Sequence, residues 1–335
     1  MTGMLEKLSG LLLGSKVENQ DVAEPLLSCV VIVHDMVEQA EKTLFSLTEK
    51  YQLDVRSDQY EVIIVENQSA NVMRPEFIES LPKNFHYHLR NNPEPSPGPA
   101  VNYGVSKASG NKLCILIDGA RLLSPRAIST IIQGHKLSNA AVISIPGYHL
   151  GHELQQEAVL SGYDRAAEDT LLRSIGWPEN GYRLFDISCL NGSSGLGFFL
   201  PNSESNCISL SRQLWDALEG YDSRFKLRGG GLVNLEFYKR ALELPETLHI
   251  ILAGEGTFHQ LHGGMTTGGL DPSERKKYIQ ESNDQYREFR GQDFENPRTE
   301  PVYLGRLPIH VQKFVQHSAQ LAIRIEGEEC LGKPF

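Results

Sequence analysis

The chain has 335 residues, of which 40% are hydrophobic and 22% are charged, and its formal net charge is −10. This size and composition suit one large α/β domain, or one domain with an appendage. The negative charge argues against a general nucleic-acid binder, because neutralising a phosphate backbone requires a basic surface. Any phosphate group that the protein binds must therefore be held by a local cluster of residues.

The cysteines are odd in number, widely spaced and mostly set in apolar runs. They are Cys29, Cys114, Cys189, Cys207 and Cys330. This arrangement disfavours a disulfide framework or a zinc cluster. It indicates a protein of the reducing cytoplasm.

Membrane insertion is also disfavoured by the sequence. No run reaches the roughly 20 apolar residues of a membrane span. The stretch Leu11–Leu13 lacks the basic segment and the cleavage site of a signal peptide. Leu5, Leu8 and Leu12 leave two alternatives, a short amphipathic helix in peripheral membrane contact or a simple packed terminus.

Apolar runs alternate with helical periods over the first half of the chain. The pattern predicts strands at 27–33, 62–65, 113–117 and 141–145, with helices near 38–49, 99–108 and 124–135. Such alternation is typical of parallel βαβ units with helices on both faces of the sheet. Ligands bind at the carboxyl ends of the strands in such sheets. The first candidates are therefore the polar residues after these strands, which are His34, Asp35, Glu66, Asn67 and Asp118.

The second half of the chain predicts further elements and three segments. A strand is expected near 207–210 and a helix near 212–218, and Gly229–Gly231 opens another helix. More charged helices are expected at 272–290 and 309–325. We expect an N-terminal extension at 1–25, a main domain at 26–264 and a C-terminal helical region at 265–335.

Five blocks resemble the inverting family 2 glycosyltransferases, in their order and spacing. "SCVVIVHDMVEQAEKTLFSL" and "YEVIIVENQS" resemble the first two strands, and "PGPAVNYGVSKASGNKLCILIDGARLLSP" resembles the DxD region. "NCISLSRQLWDALEGYDSRF" with "RGGGLVNLEFYKRA" is similar to the acceptor strand and the base-bearing helix, and "EGTFHQLHGG" to the closing His loop. The resemblance implies a GT-A fold that binds a nucleotide sugar. A dinucleotide-binding Rossmann enzyme is disfavoured because no GxGxxG follows the first strand.

The resemblance also implies roles at the donor end of the site. The acidic residue after the second strand, Glu66, would contact the nucleoside, with Asn67 beside it. His34 and Asp35 would border the same crevice. Local capping of the following turns is the alternative for Glu66 and Asp35. Asn102 could contact the sugar donor or pack its own helix.

The metal motif of the family is incomplete in this chain. A divalent cation on DxD commonly neutralises the diphosphate leaving group, but here the motif reads Asp118-Gly119-Ala120. The resemblance implies that His262, or the less favoured His259, could complete a Mn²⁺ or Mg²⁺ site with Asp118.

Other roles remain open for these residues. Arg121 and Arg228 could supply the positive charge themselves, as in metal-independent transferases. His262 could equally be a structural residue of its glycine-rich loop.

The catalytic base of the family is also altered. An inverting transfer needs a carboxylate that takes the proton of the acceptor hydroxyl. The family carries it in a Glu-Asp pair after the glycines, where this chain has Val233-Asn234. Glu204 is a candidate replacement or an exposed loop residue. Glu236 would point to another side of the helix, since it lies two residues beyond Asn234.

The sequence therefore predicts a glycosyltransferase that moves a sugar from a nucleotide-diphosphate sugar to a glycan or polysaccharide-precursor acceptor, with inversion. Its partners would be these two substrates and no nucleic acid. The alternative is a non-catalytic module of the same fold that binds a nucleotide sugar or a glycan. Ala120 and Asn234 favour that alternative, because each replaces a carboxylate of the family.

Overall fold

The computed structural model describes residues 27–265, 267 and 271–331, with side chains described as far as residue 325. The predicted N-terminal extension, its leucines and the side chain of Cys330 lie outside the described residues. Within these ranges no helix combines the length and the apolar character needed to cross a membrane.

Eight strands form the main sheet in the described part of the chain, and the five predicted strands lie among them with ends shifted by at most two residues. They are β1 (Leu27–Val33), β2 (Tyr60–Asn67), β3 (Phe85–Arg90), β4 (Lys112–Leu116), β6 (Ala141–Ser144), β9 (Cys207–Ser211), β10 (Leu248–Ile251) and β12 (Val302–Tyr303). Their order is β12-β10-β6-β9-β4-β1-β2-β3. Only β9 runs antiparallel to its neighbours, β4 and β6. The prediction of a mostly parallel α/β sheet is thus confirmed.

A second, smaller sheet was not predicted. It contains β5 (Arg121–Leu123), β7 (Gly147–Leu150), β8 (Ser188–Leu190) and β11 (Thr257–His259), in the order β5-β11-β7-β8. Strands of three or four residues are too short to give a readable alternation of apolar and polar positions. This sheet matters for the site because β5 and β11 carry Arg121 and His259.

The helices pack around the main sheet. They are α1 (Val37–Ser46), α2 (Pro75–Glu79), α3 (Gly98–Lys107), α4 (Ala127–Gly134), α5 (Gln155–Ala158), α6 (Arg165–Ser174), α7 (Arg212–Ala217), α8 (Val233–Leu242), α9 (Pro272–Arg290) and α10 (Gln312–Leu331). The helices predicted from periodicity are confirmed, with ends shifted by a few residues, as helix boundaries usually are.

Alternating residues of the central strands pack into two separate cores. In β1, Val31 and Val33 face the core beneath α1 and α4, whereas Val30 and Ile32 face the core beneath α3, α7 and α8. Helix α3 lies very close to the sheet: a Cβ at Gly104 would be only 2.5 Å from Cγ1 of Val30. Glycine is therefore needed at this position for the helix to approach the strand.

Residues beyond 264 take part in the same fold. Strand β12 extends the main sheet by pairing with β10. Val311 and Phe314 are buried in the core beneath the second sheet. The boundary placed at residue 264 remains a prediction.

Candidate active site

A cavity of about 890 Å³ opens at the carboxyl ends of the central strands. Its size is in the range of sites for small molecules and cofactors. Polar residues that follow β1, β2 and β4 line it, as expected for a parallel sheet. Of the candidate residues named in the sequence analysis, those that line it are His34, Asn67, Asp118, Arg121, Glu204, Arg228, Asn234, His259 and His262.

Glu66 lies on the opposite face of β2 and outside the cavity lining. The carboxylate is completely buried and accepts hydrogen bonds from the backbone N–H of Met73, at 3.2 and 3.1 Å, and from the Tyr87 hydroxyl at 2.5 Å. Successive residues of a strand face opposite sides, so Asn67 faces the cavity instead. These hydrogen bonds hold the loop after β2, in line with the capping alternative, and the nucleoside contact of Glu66 stays a prediction.

Asp35 and Asn102 also lie outside the cavity lining. Asp35 accepts a hydrogen bond of 3.0 Å from Asn71 Nδ2, beside the turn after β1. Asn102 donates to the backbone oxygen of Tyr221 at 2.8 Å and accepts from its N–H at 2.9 Å. These bonds attach α3 to the segment before α8, which is the packing alternative for Asn102.

Asp118, His259 and His262 form a compact cluster at the floor of the cavity. Nε2 of His259 lies 3.1 Å from Oδ2 of Asp118, and Nε2 of His262 lies 3.6 Å from Oδ1. The two imidazole nitrogens are 3.0 Å apart. All candidate ligand atoms lie within 4.8 Å of one another, so one cation could contact all three. His259, the less favoured candidate in the sequence, is the closer of the two to Asp118.

The orientation of the His259 ring is set by Gln155. Nε2 of Gln155 donates to the backbone oxygen of His259 at 3.0 Å, so its Oε1 must accept from Nδ1–H of His259, at 2.5 Å. The lone pair of Nε2 on neutral His259 is then directed at Asp118 and His262. A lone pair facing a carboxylate needs a proton or a metal ion between them, and an oriented imidazole of this kind is typical of metal ligands.

The ionisation of the cluster is compatible with cation binding at neutral pH. Burial lowers the pKa of His259 to about 4, although Asp118 partly opposes this shift. Burial also acts to raise the pKa of Asp118, but the adjacent His262 and His259 hold it well below its usual range. The site therefore offers an ionised carboxylate and a neutral imidazole, the protonation states in which these groups bind metals.

Arg121 places positive charge beside this cluster. It lies directly opposite His259 in the antiparallel pair of β5 and β11, and only 6% of its surface is exposed. Its Nε is 3.4 Å from Oδ2 of Asp118, yet Nε and Nη1 have no hydrogen-bond partner among the described residues. Since a buried guanidinium is costly unless its donors are satisfied, the geometry suits an anionic ligand at this point.

Glu204 and Asn234 meet on another wall of the cavity. Asn234 Nδ2 donates to Oε2 of Glu204 at 2.5 Å, and the hydroxyl of Tyr221 donates to Oδ1 of Asn234 at 2.7 Å. Ser193 Oγ donates to the other oxygen of Glu204 at 2.5 Å. Two predicted candidates from distant parts of the sequence are thus in direct contact. The carboxylate of Glu204 has no ion-pair partner among the described side chains.

Glu236 lies away from the cavity, as its helical position predicts. It is 1% exposed and pairs with Arg240 at 2.5 Å and with Arg290 at 2.6 Å. This buried network ties α8 to α9.

The start of α8 is held in place by three consecutive glycines. Gly229, Gly230 and Gly231 have φ values of 74°, 91° and 55°, which other residues rarely adopt. Tyr278 of α9 fixes this turn, because its hydroxyl accepts from the N–H of Gly231 at 3.1 Å and donates to the oxygen of Arg228 at 2.8 Å. The turn positions Asn234 against Glu204.

Several residues in or next to the cavity carried no signal in the sequence. Gln155 acts on His259 from a position 104 residues earlier in the chain. His149 and Arg275 also line the cavity, and burial lowers the pKa of His149 to about 2. His259, in contrast, was already a candidate in the sequence, where it stands three residues before His262.

The comparisons with known proteins concern the family and the fold of the chain. The family model "Glycosyltransferase like family 2" matches residues 29–250. No curated protein matches the chain. The fold resembles that of mannosyltransferase PcManGT from Pyrobaculum calidifontis in complex with GDP-Man and Mn²⁺, at 12% identity and a TM-score of 0.45, over 100% of this chain and 83% of that one. It also resembles S. aureus TarS 1–349 in complex with UDP, at 12% identity and a TM-score of 0.48, over 79% of this chain and 72% of that one.

The fold and the family model together define a glycosyltransferase with a GT-A fold, as the sequence predicted. The chain belongs to the glycosyltransferase like family 2, since the match covers well over half of its length.

Proposed function

We propose that this chain transfers a sugar from a nucleotide-diphosphate sugar to a hydroxyl group of a glycan or polysaccharide-precursor acceptor, with inversion at the anomeric carbon. One observation carries the proposal. The same cavity holds the cluster of Asp118, His259 and His262 beside the guanidinium of Arg121, and on another wall the carboxylate of Glu204. These are the groups needed for a departing diphosphate and for an attacking hydroxyl.

The donor would lie with its nucleoside toward His34 and Asn67. Both residues line the cavity, and the imidazole of His34 lies 3.2 Å from the backbone oxygen of Asn67. The diphosphate would then extend toward Arg121, whose Nε and Nη1 lack partners among the described residues. A guanidinium can give two parallel hydrogen bonds to phosphate oxygens, which orients the leaving group as well as neutralising it.

Asp118, His259 and His262 would hold a divalent cation, Mn²⁺ or Mg²⁺. One carboxylate and two imidazoles leave coordination positions for phosphate oxygens and water. When bound, the cation would neutralise charge that develops on the diphosphate. The carboxylate that DxD supplies elsewhere in the family is absent here, and we propose that the two histidines replace it. Gln155 would keep His259 in the ligating tautomer.

Glu204 would act as the general base. Its carboxylate would take the proton of the acceptor hydroxyl while that oxygen forms its bond to the anomeric carbon. The bond from this carbon to the phosphate oxygen breaks, and its electron pair leaves with the diphosphate. Asn234 would position Glu204 through the hydrogen bond of 2.5 Å. In this arrangement the loop before β9 would carry the base, whereas the family carries it at the start of the helix that corresponds to α8.

Turnover of the donor tests this proposal against the non-catalytic alternative. The protein would be incubated with a panel of UDP- and GDP-sugars and Mn²⁺, and release of nucleoside diphosphate would be followed with and without mixed oligosaccharide acceptors. We expect release from one donor, at a rate that rises with acceptor. Binding of a nucleotide sugar without release under any condition would overturn the catalytic proposal and support a binding module.

A further inference from the structure

Two further cationic side chains, those of Arg228 and Arg275, line the cavity. Arg228 precedes the glycine turn, and Arg275 lies in the first turns of α9. Tyr278, three residues after Arg275 on the same helical face, donates its hydroxyl hydrogen to the backbone oxygen of Arg228 at 2.8 Å. The backbone segments that carry the two arginines are therefore in contact.

Both arginines lack acidic partners among the described residues, unlike several other arginines of the chain. Arg290, for example, pairs with Asp222 at 2.8 Å and with Glu236 at 2.6 Å. Neither Arg228 nor Arg275 forms an ion pair with a described carboxylate, although the chain carries a net charge of −10. Nε of Arg275 is inaccessible to solvent and has no hydrogen-bond partner within the described ranges.

The acidic side chains of the cavity are already engaged. Glu94 pairs with Arg90 at 2.7 Å, and Asp118 contacts His259 at 3.1 Å. Glu204 accepts hydrogen bonds from Asn234 and from a serine. The charge of the arginine pair is thus available to a ligand.

The arginine pair lies beside the proposed acceptor side of the cavity. The hydroxyl of Tyr278 joins the oxygen of Arg228 to the N–H of Gly231, immediately before α8. The first turn of α8 carries Asn234, which contacts Glu204. Arg121, in contrast, lies in β5 beside Asp118, where the proposed function puts the diphosphate.

We propose that Arg228 and Arg275 bind an anionic group of the acceptor, either a phosphate or a carboxylate. This inference rests on the proposed function and adds the class of acceptor to it. Two guanidinium groups can surround one such anion with charge-assisted hydrogen bonds, which are stronger than those to a neutral hydroxyl. A neutral sugar hydroxyl could accept from Nε of Arg275 but would leave the guanidinium charge without a counter-ion, and an unpaired charge that is partly buried is costly.

Saturation-transfer difference NMR with simple sugars tests the proposal. Glucuronate, glucose 6-phosphate and glucose would each be titrated in the presence of UDP or GDP, with diamagnetic Mg²⁺, and again without nucleotide. We expect at least one anionic sugar to bind about tenfold more tightly than glucose, as charged hydrogen bonds imply. The double variant Arg228→Gln/Arg275→Gln should lose this preference. Arg287→Gln, an exposed change on the same helix, should keep it.

Each other outcome is equally decisive. Binding of glucose 6-phosphate alone assigns a phosphate, and binding of glucuronate alone assigns a carboxylate. Equal binding of all three sugars, or a preference that survives in the double variant, overturns the proposal. So does a large loss of nucleoside-diphosphate affinity in the double variant, because the pair would then hold the donor. Failure of the wild type to bind any nucleotide contradicts the proposed function instead.

Discussion

Asn234 at the start of α8 donates a hydrogen bond of 2.5 Å to the carboxylate of Glu204 in the loop before β9. The two residues are 30 positions apart in the chain. Asn234 stands where the resemblance to the family places the base, and Glu204 supplies a carboxylate directly beside it. The site therefore has a carboxylate next to the position of the family's base, but it comes from the loop before β9 and not from the helix.

Exchanging the two side chains tests whether this carboxylate is the base. Glu204→Gln should lower the rate of transfer by about 10²- to 10⁴-fold, the usual contribution of a general base. The double variant Glu204→Gln/Asn234→Asp returns the carboxylate to the helix and should recover part of the loss. Initial rates of nucleoside-diphosphate release, with binding of the donor as the control, would measure both effects. A double variant no faster than Glu204→Gln, with the fold and donor binding intact, would contradict this role.

Arg121 is expected to recognise the diphosphate of the donor. Arg121→Ala should weaken binding of the nucleoside diphosphate by roughly 10- to 100-fold, because a charged hydrogen bond contributes about 1.5 to 3 kcal/mol. Arg121→Lys should recover only part of the affinity, since an ammonium cannot form the paired hydrogen bonds of a guanidinium. Calorimetry with the nucleoside alone is the matched control. An equal loss for the nucleoside and the nucleoside diphosphate would mean that the variant disturbs the whole site.

Much of the fold followed from apolar periodicity, whereas the site required knowledge of contacts. The strand predicted at 62–65 is part of β2, and the last residue of β2, Asn67, lines the cavity. The same alternation turns Glu66 to the other face, where Met73 and Tyr87 engage it. That outcome depends on the loop after β2, which periodicity does not describe.

Long-range partners explain the rest of the difference. Asp118 and His262 were paired through the resemblance to the family, since His262 follows β11 of the second sheet and not a strand of the main sheet. Gln155 orients His259 across 104 residues, through a second sheet whose strands are too short to recognise. Arg275 reaches the cavity from the helix predicted at 272–290, for which the sequence predicted no role in the site.

Glu168 of α6 should make the stability of the fold depend on pH. Its carboxylate is 3% exposed and accepts from the N–H of Leu261 at 2.7 Å. Burial raises its pKa to about 7, against a partial opposing effect of the Leu261 hydrogen bond. Between its unfolded value of 4.5 and about 7 the folded state binds more protons than the unfolded state. The contribution of Glu168 to stability is therefore full below pH 4.5 and falls as the pH rises.

Urea unfolding across this range measures the effect. From pH 4.5 to 7 the wild type should lose about 2 to 3 kcal/mol of unfolding free energy relative to Glu168→Gln, as a pKa shift of this size implies. The glutamine keeps an oxygen that can accept from the N–H of Leu261. If the unfolding free energies of the two proteins follow the same dependence on pH, the pKa of Glu168 is not raised by folding, and the prediction is wrong.

Gly104 should be required for the close contact between α3 and β1. An alanine there would place its Cβ 2.5 Å from Cγ1 of Val30 and 3.0 Å from Cγ2 of Val65. Alanine favours a helix by about 1 kcal/mol over glycine, but overpacking costs about 1 to 3 kcal/mol. We expect Gly104→Ala to lower the denaturant midpoint, whereas Ser106→Ala on the exposed side of α3 should not. A raised midpoint for Gly104→Ala would show that the sheet can relax.

The affinity of the protein for a nucleoside diphosphate, measured by calorimetry with Mn²⁺ and with EDTA, tests the central claim most directly. The account predicts that Mn²⁺ strengthens binding of UDP or GDP, and that Asp118→Asn and His262→Ala each remove this dependence. His317→Ala, an exposed histidine of α10, should preserve it. Wild-type affinity that is the same with Mn²⁺ and with EDTA, together with a loss of affinity in Arg121→Ala, would contradict the metal site and leave arginine as the group that holds the diphosphate.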